Sequence, residues 1–445
     1  MAVQKTLIYS ALYIITVFMV VSVFVLSPSQ LENFPALRIF IVICASLLLL
    51  KYALYMTVAP WANVQTFLRA RRFARKFPLV SIIIPAWNEE VGLLSTVKTI
   101  LANTYPHIEI VVVNDGSTDG SDKIMREFIA EYERIKPVDS ADVKKIIKYY
   151  YKENGGKGRA LNYGIEHSTG SIILSIDADC VLAKNTVANF VKVFDDPSVG
   201  AAVGNVKIGN TKTLLGIIQA LEFEFSFFFK RAESVLGMVY IIGGAAGAFR
   251  REVFDKVGLY DHTTITEDIE LTFRIQDAGM KIVYAQDALV YTEGAVTLKG
   301  LLKQRLRWKR GMFETLKKHR NLTFSTKRHH NVFLCWFLLP LTYFGNIQLG
   351  LELFFLAFLY IFSYITHDFS SFISGVVVVF SMFVIVGVSG DKKKWWLEFT
   401  ILAPVAWLLF YLSTYVEFNS LVKAIWYGVT KQKVVWQAWQ RVGIT

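Results

Sequence analysis

The sequence predicts a mixed α/β domain, with a mostly parallel sheet covered on both faces by helices, joined to an α-helical transmembrane region. Three observations carry this prediction. Short β-branched apolar runs alternate with polar helical stretches through the middle of the chain. Apolar runs long enough to cross a bilayer flank that middle on both sides. The composition is 53% hydrophobic and only 19% charged, more apolar and less charged than an ordinary soluble protein.

The elements follow in chain order. Leu7 to Leu26 is charge-free and mostly apolar, and no small-residue cleavage site follows it. It reads as a retained span and not a signal peptide. A second run covers about Ala36 to Val58, interrupted by Lys51, which can snorkel or face another helix. Residues 1–58 are therefore expected to hold two membrane helices. Residues 59–78 form a basic linker with Arg69, Arg71, Arg72, Arg75 and Lys76. The positive-inside rule then makes the middle of the chain cytosolic. Within the linker, Trp61 to Phe73 reads either as an interfacial amphipathic helix or as a solvated stretch.

Residues 79–325 are expected to form the cytosolic domain. Strand candidates are Val80–Pro85, Ile108–Asn114, Lys145–Tyr151, Ser171–Asp177 and Gly200–Asn205. Helical stretches at Glu89–Ala102, Ser121–Ile135 and Arg159–His167 separate the first four. Ligands of such sheets bind at the carboxyl ends of strands, at a topological switch point. Leu214 to Leu236 is rich in phenylalanine but carries Glu222 and Glu224. Those charges argue against a span and for a helix lying against the membrane or along a channel mouth.

Residues 326–416 return to apolar character and are expected to supply three or four spans. The run Val332–Ile365 is too long for one span and contains Asn346 and Gln348, so it predicts two short spans or a span plus a re-entrant segment. Phe372–Val388 and Phe399–Val416 are further candidates. Residues 417–445 form a basic, tryptophan-rich tail. The net charge of +12 tracks the apolar runs, which points to anionic lipid and away from nucleic acid as a partner. Three cysteines without metal-site or paired spacing fit a reducing compartment.

The polar motifs cluster at predicted strand ends. Asn114-Asp115-Gly116-Ser117-Thr118-Asp119 closes the second strand, where an aspartate can accept from a bound ring, or simply cap the next helix. Asp177-Ala178-Asp179 closes another. Strand alternation would set its two carboxylates on one side, an arrangement suited to a divalent cation with a diphosphate, or to a solvated turn. Gly155-Gly156-Lys157-Gly158-Arg159 lacks phosphate-loop spacing, yet Lys157 and Arg159 can reach phosphates or merely begin a basic helix. Thr266-Glu267-Asp268 reads as a helix cap with acidic first-turn residues, or as the source of a general base. Gln304-Arg305-Leu306-Arg307-Trp308 can bind diphosphate oxygens and stack on a sugar, or lie on phospholipid head groups.

Taken in order, these motifs resemble the processive, membrane-bound family 2 glycosyltransferases, a group that includes cellulose, chitin, hyaluronan and poly-N-acetylglucosamine synthases. The matched series begins with Pro85-Ala86-Trp87-Asn88-Glu89 and Asn114-Asp115-Gly116-Ser117. It continues through Lys157–Asn162, Asp177-Ala178-Asp179, Gly243–Arg250, Thr266-Glu267-Asp268 and Gln304-Arg305-x-Arg307-Trp308. The resemblance implies a GT-A domain with a Rossmann-like sheet. It implies that Asp115 contacts the uracil of UDP, that Asp177 lies near the nucleotide and that Asp179 ligates Mg2+ or Mn2+. It implies Asp268 as catalytic base, with Arg305, Arg307 and Trp308 closing over diphosphate and acceptor. Pro85, Asn88, Glu89, Lys157, Gly244, Glu267 and Gln304 join the substrate-binding set on the same grounds.

Within the group, Gly247-Ala248-Phe249-Arg250 and Lys303–Trp308 are most similar to poly-β-1,6-N-acetylglucosamine synthases. The implied activity is inverting transfer from a UDP-sugar to a growing β-linked glycan, with export across the plasma membrane and accessory export subunits among its partners. Other readings are a hyaluronan, chitin or other β-glycan synthase, a non-processive transferase acting on a lipid carrier, and a transporter with a degenerate enzyme domain. Finally, Trp436-x-x-x-x-Arg441 resembles a C-terminal gating segment. It can act only if the tail returns to the cytosolic face, which requires an even number of C-terminal spans.

Overall fold

A computed structural model of the chain describes residues 77–135, 144–367, 406–430 and 441–444, a stretch at 54–62 and a few isolated positions. Most of the two N-terminal runs, the linker, the run 372–388 and Trp436 lie outside the described residues.

The middle domain is one eight-stranded sheet in the order β3-β2-β1-β4-β7-β6-β8-β5. The strands are β1 Val80–Ala86, β2 His107–Asp115, β3 Lys144–Lys152, β4 Ile172–Ser175, β5 Val181–Leu182, β6 Val199–Ile208, β7 Gly247–Arg250 and β8 Lys281–Thr292. Strands β3, β2, β1 and β4 are mutually parallel. β7 runs against both its neighbours, and β5 runs against β8. The consecutive isoleucines 82–84 and valines 111–113 are fully buried, because helices cover both faces of a parallel sheet and leave no solvent side to alternate toward.

Helices α1 Leu93–Leu101, α2 Ser121–Ile135 and α3 Lys157–Glu166 connect the first four strands. After β3 the chain crosses back to the other side of β1, so the switch point lies between β1 and β4. The loops after β1, β2, β3 and β4 open on the same sheet edge there, where ligands of such folds bind. Helices α4 Thr186–Val193, α5 Leu214–Val235, α6 Arg251–Val257, α7 Glu267–Asp277 and α8 Leu298–Lys318 follow.

Several expectations are corrected. β4 stops at Ser175, so Asp177 and Asp179 sit in a turn beyond the strand and strand alternation does not orient them. Strands β5, β7 and β8 go beyond the five expected ones. The phenylalanine-rich α5 packs largely inside the protein, and its Glu222, Phe223 and Phe227 line the cavity described below. Glu224 pairs with Lys207 of β6 at 2.6 Å, while Phe228 and Ala232 pack with Tyr55, Leu334, Leu338 and Phe383 in a second core. Its charges are thus explained by partners inside the protein. The run 332–365 does not break in two: a π-helical turn, Leu334–Leu338, leads directly into the long helix α9, Leu339–Thr366. Asn346 does not interrupt it, because its amide donates to the Thr342 carbonyl at 2.8 Å and is satisfied within the helix.

Among the described residues one helix, Leu334–Phe354, is long and apolar enough to cross a membrane, with mean hydropathy 1.3. A further helix, α10 Ala406–Val429, packs along α8.

Candidate active site

The site is assembled at the switch point. Asp115 ends β2 and accepts from Lys152 Nζ at 2.5 Å, Gly155 N at 3.0 Å and Gly156 N at 2.7 Å. The loop before α3 is therefore folded around this carboxylate. Gly156 has φ +91°, a backbone state open to glycine and strained for other residues. Asn88, also in the left-handed region, ties the first loop to the second: its N–H donates to Ser117 Oγ at 3.0 Å and its Oδ1 accepts from Thr118 N at 2.8 Å. Asn88 thus shapes the rim, while Pro85 lines the cavity from the end of β1.

Lys157, at the start of α3, organises the carboxylates. Its Nζ lies 2.5 Å from Asp177 Oδ1 and 3.7 Å from Glu267 Oε1. Burial alone would lower the pKa of this ammonium; Asp177, Glu267 and Asp268 outweigh burial and raise it, so Lys157 is a fixed cation. Glu267 has its pKa raised by burial, against the pull of Lys157 and Arg307.

Asp268 is held differently. Oδ2 accepts from Gly244 N at 2.8 Å and Oδ1 from Ile269 N at 2.8 Å. A side chain at Gly244 would meet Lys157 Nζ at 2.6 Å, so the glycine lets the backbone approach both groups. Glu267 is buried, whereas Asp268 is half-buried and faces the cavity. Thr266 stands at the helix start as expected, but its side chain makes no cap hydrogen bond.

Asp179 lies with Glu89 around the guanidinium of Arg441. Nη1 of Arg441 is 2.6 Å from Asp179 Oδ2, and Nη2 is 2.6 Å from Glu89 Oε1. Val442 N donates to Glu293 Oε1 at 2.7 Å. Burial raises Glu89 to about 7, against Arg441 and with help from Asp179 and Asp177. A cation is thus already accommodated among hard oxygen donors. Among the described residues no three side chains of the metal-ligating types converge. Such a donor set fits a divalent cation held by one or two carboxylates and completed by substrate phosphates.

The arm helix α8 presents two faces. Residues two apart on a helix point about 200° apart, so Arg305 and Arg307 diverge. Arg307 faces Glu267, and its Nε has no hydrogen-bond partner among the described residues. Arg305 turns the other way, to Glu222 Oε2 at 2.5 Å, with its guanidinium 4.6 Å from the Trp308 ring centre. Gln304 and Trp308 line the cavity with both arginines.

One cavity of about 980 Å³ joins these groups. It runs from Asp115 past Asp177, Asp179 and Asp268 to Thr342 and Asn346 of α9 and Glu417 of α10. Every substrate-site residue expected from the sequence borders it except Asn88, which stands behind the rim, and Trp436, outside the described residues. Glu293 and Glu417 escaped sequence reasoning, and Glu222 stood out only as a charge within an apolar run. Glu293 follows the end of β8 and so repeats the strand-end signal, hidden because β8 itself was not recognised. Nothing local marks Glu417, which is brought in by the packing of α10 along α8.

Comparison with known proteins agrees with this geometry. The family described as "Glycosyltransferase like family 2" matches residues 78–311. Poly-β-1,6-N-acetyl-D-glucosamine synthases of Staphylococcus epidermidis and Staphylococcus aureus (strain COL) are 31% identical over 251 residues, 56% of this chain and 58% of theirs. The match thus covers little more than half of these curated relatives. A mannosyltransferase from Pyrobaculum calidifontis, solved in complex with GDP-Man and Mn2+, superposes with TM-score 0.53 at 19% identity, covering 88% of this chain and 99% of that one. That likeness shows the GT-A fold.

Proposed function

The chain belongs to the family 2 glycosyltransferases, and on that premise we propose that it is an inverting, membrane-bound synthase that transfers N-acetylglucosamine from its UDP derivative to a growing β-linked glycan and passes the product through the membrane. The sugar is favoured by the likeness to poly-β-1,6-N-acetyl-D-glucosamine synthases. Export is favoured by a cavity that continues from the catalytic carboxylates to polar residues of α9, Thr342 and Asn346. The long apolar helix and the apolar runs of the sequence favour a multi-pass protein of the plasma membrane, with its catalytic domain in the cytosol.

One observation carries the reaction: Asp268 is pinned to Gly244 N on the cavity wall while Glu267 beside it is buried and paired with Lys157. Asp268 Oδ takes the proton of the acceptor hydroxyl as that oxygen attacks the anomeric carbon. The new C–O bond forms while the bond to the β-phosphate oxygen breaks, and UDP departs with the electron pair. Attack opposite the leaving group inverts the configuration. Arg307, with a free buried donor, and Lys157 stabilise the negative charge that develops around the leaving group. Asp179, with Glu89 nearby, would hold Mg2+ or Mn2+ against the diphosphate, where a divalent cation neutralises leaving-group charge. Asp115 and the loop 153–156 receive the base. Arg441, which pairs with Asp179 and Glu89 here, would act as the gating residue of the tail, its guanidinium available to the diphosphate when Asp179 holds the cation.

The test is Asp268→Asn in purified enzyme with UDP-N-acetylglucosamine and Mn2+. Transfer falls at least ~100-fold while UDP affinity stays within about twofold. Near-normal turnover in this variant removes the assignment of the base. Product sizing separates the synthase from its alternative, since a single sugar on lipid means a non-processive transferase.

A further inference from the structure

We propose that Glu222 and Glu417 are positioning residues, which anchor Arg305 and through it set the orientation of the Trp308 indole in the cavity. The inference rests on the transferase reading above but concerns a face of the arm helix that faces away from the catalytic carboxylates.

The argument begins with helix geometry. Residues 305 and 309 stand on one side of α8 and 307 and 311 on the other, while Trp308 lies between them, three residues from Arg305 and four from Gln304. Gly311 touches Thr266 and Arg307 faces Glu267, so the second face belongs to the catalytic carboxylates. The first face meets two acids from other helices. Glu222 of α5 binds Arg305 Nη2 at 2.5 Å. Glu417 of α10 lies 3.7 Å from Arg305 Nε and 2.9 Å from Lys309 Nζ. Ser413 Oγ, also on α10, donates to Glu222 Oε1 at 2.6 Å. Arg305 is only 11% exposed, so this is a shielded network in which charge-assisted bonds act with little screening.

Arg305 is therefore already occupied. Its guanidinium is bonded to Glu222, has Glu417 at ion-pair distance, and lies 4.6 Å from the Trp308 ring centre, within cation–π range. The indole in turn borders the cavity where an acceptor would pass. Three helices thus fix one aromatic surface. Removing either acid frees Arg305 to swing and leaves the indole unsupported. The chemistry at Asp268 and the donor site on the other face of α8 are untouched.

The experiment compares wild type, Glu222→Gln, Glu417→Gln and Glu222→Asp, all as full-length protein in detergent with UDP-N-acetylglucosamine. Two rates are read: UDP release to water without acceptor, and elongation of an N-acetylglucosamine oligosaccharide. The expected result for both glutamine variants is an acceptor KM raised about tenfold. Donor KM and hydrolysis stay at the wild-type level, and Glu222→Asp recovers part of the loss. Equal acceptor KM in all four proteins overturns the inference. So does a parallel fall of hydrolysis and elongation with a lowered melting temperature, because that pattern marks a purely structural brace. Wild-type protein that releases no UDP at all would instead count against the transferase reading itself.

Discussion

The contact between Gly311 of the arm helix and Thr266 before the catalytic carboxylates makes a quantitative prediction. A Cβ at position 311 would stand 2.1 Å from Thr266 Oγ1, 2.4 Å from its Cγ2 and 2.7 Å from its Cβ. Ordinary contact begins at 3.4 Å, so Gly311→Ala must move α8 away from α7 by roughly 1 Å. Arg307 rides on the same face of α8, and Glu267 and Asp268 follow directly after Thr266. A displacement of about 1 Å between reacting groups can lower turnover ~100-fold, while overpacking costs only about 1–3 kcal/mol of stability. The expected outcome is a large loss of kcat for UDP-sugar transfer in a protein that still folds. Thr266→Ala removes Oγ1 and Cγ2, and Thr266 Oγ1 has no hydrogen-bond partner among the described residues, so that change alone is mild. The double variant Thr266→Ala/Gly311→Ala should regain much of the activity, since only the contact to Cβ remains. Wild-type kcat in Gly311→Ala, or a double variant no better than the single one, refutes the reasoning.

Two further predictions concern charge. Glu270 is fully buried and bonded to Arg274, Lys318 and His319. Burial opposes its ionisation, but these cations hold it at about 2, below the ordinary 4.5. A depressed carboxylate contributes stability that is complete above its unfolded pKa and lost as pH falls through the folded value. The contribution at neutral pH is about 3 kcal/mol, so Glu270→Ala should lower the melting temperature at pH 7 and flatten its decline between about pH 4.5 and 2; an unchanged melting curve contradicts this. For Arg441→Ala, Mn2+ affinity without nucleotide should rise about tenfold by spin-resonance titration, since an ion pair is removed from Asp179, while turnover with donor falls. Weaker Mn2+ binding would show that the guanidinium does not compete for that carboxylate.

The first half of the domain was legible because its signals are local. A parallel sheet covered on both faces writes itself as short β-branched runs, and Val80–Ala86, His107–Asp115 and Lys144–Lys152 lie within one residue of the expected strands. Asp115, Lys157 and Asp268 were legible for the same reason, the first closing a strand and the other two standing in the first turns of helices. What failed depends on contacts between distant segments. β7 is four residues of small and mixed character, Gly247–Arg250, and becomes a strand only by filling the gap between β4 and β6. The charges of α5 left its surroundings open because Lys207, the partner of Glu224, is seventeen residues earlier on another element. Arg305 and Arg307 read alike in sequence, and only the helix axis separates their roles.

The division among cations also bears on the order of events. Glu89, Asp177, Asp179, Glu267 and Asp268 all border a cavity that must receive an anionic diphosphate. Such a site needs internal counter-ions whenever it is unliganded. Lys157 cannot leave: it stands at the start of α3 and is held between Asp177 and Glu267. Arg441 differs, since it reaches the site on a segment whose described contacts there are Glu89, Asp179 and Glu293. On the proposed reading it is the counter-ion that can be exchanged. On that reading a divalent cation held by Asp179 would supply the charge that Arg441 supplies there in this structure, and a bound diphosphate would offer the guanidinium another anion. On the proposed reading, the tail therefore re-forms its contacts after the donor is bound, and closure reports a loaded site instead of preceding it.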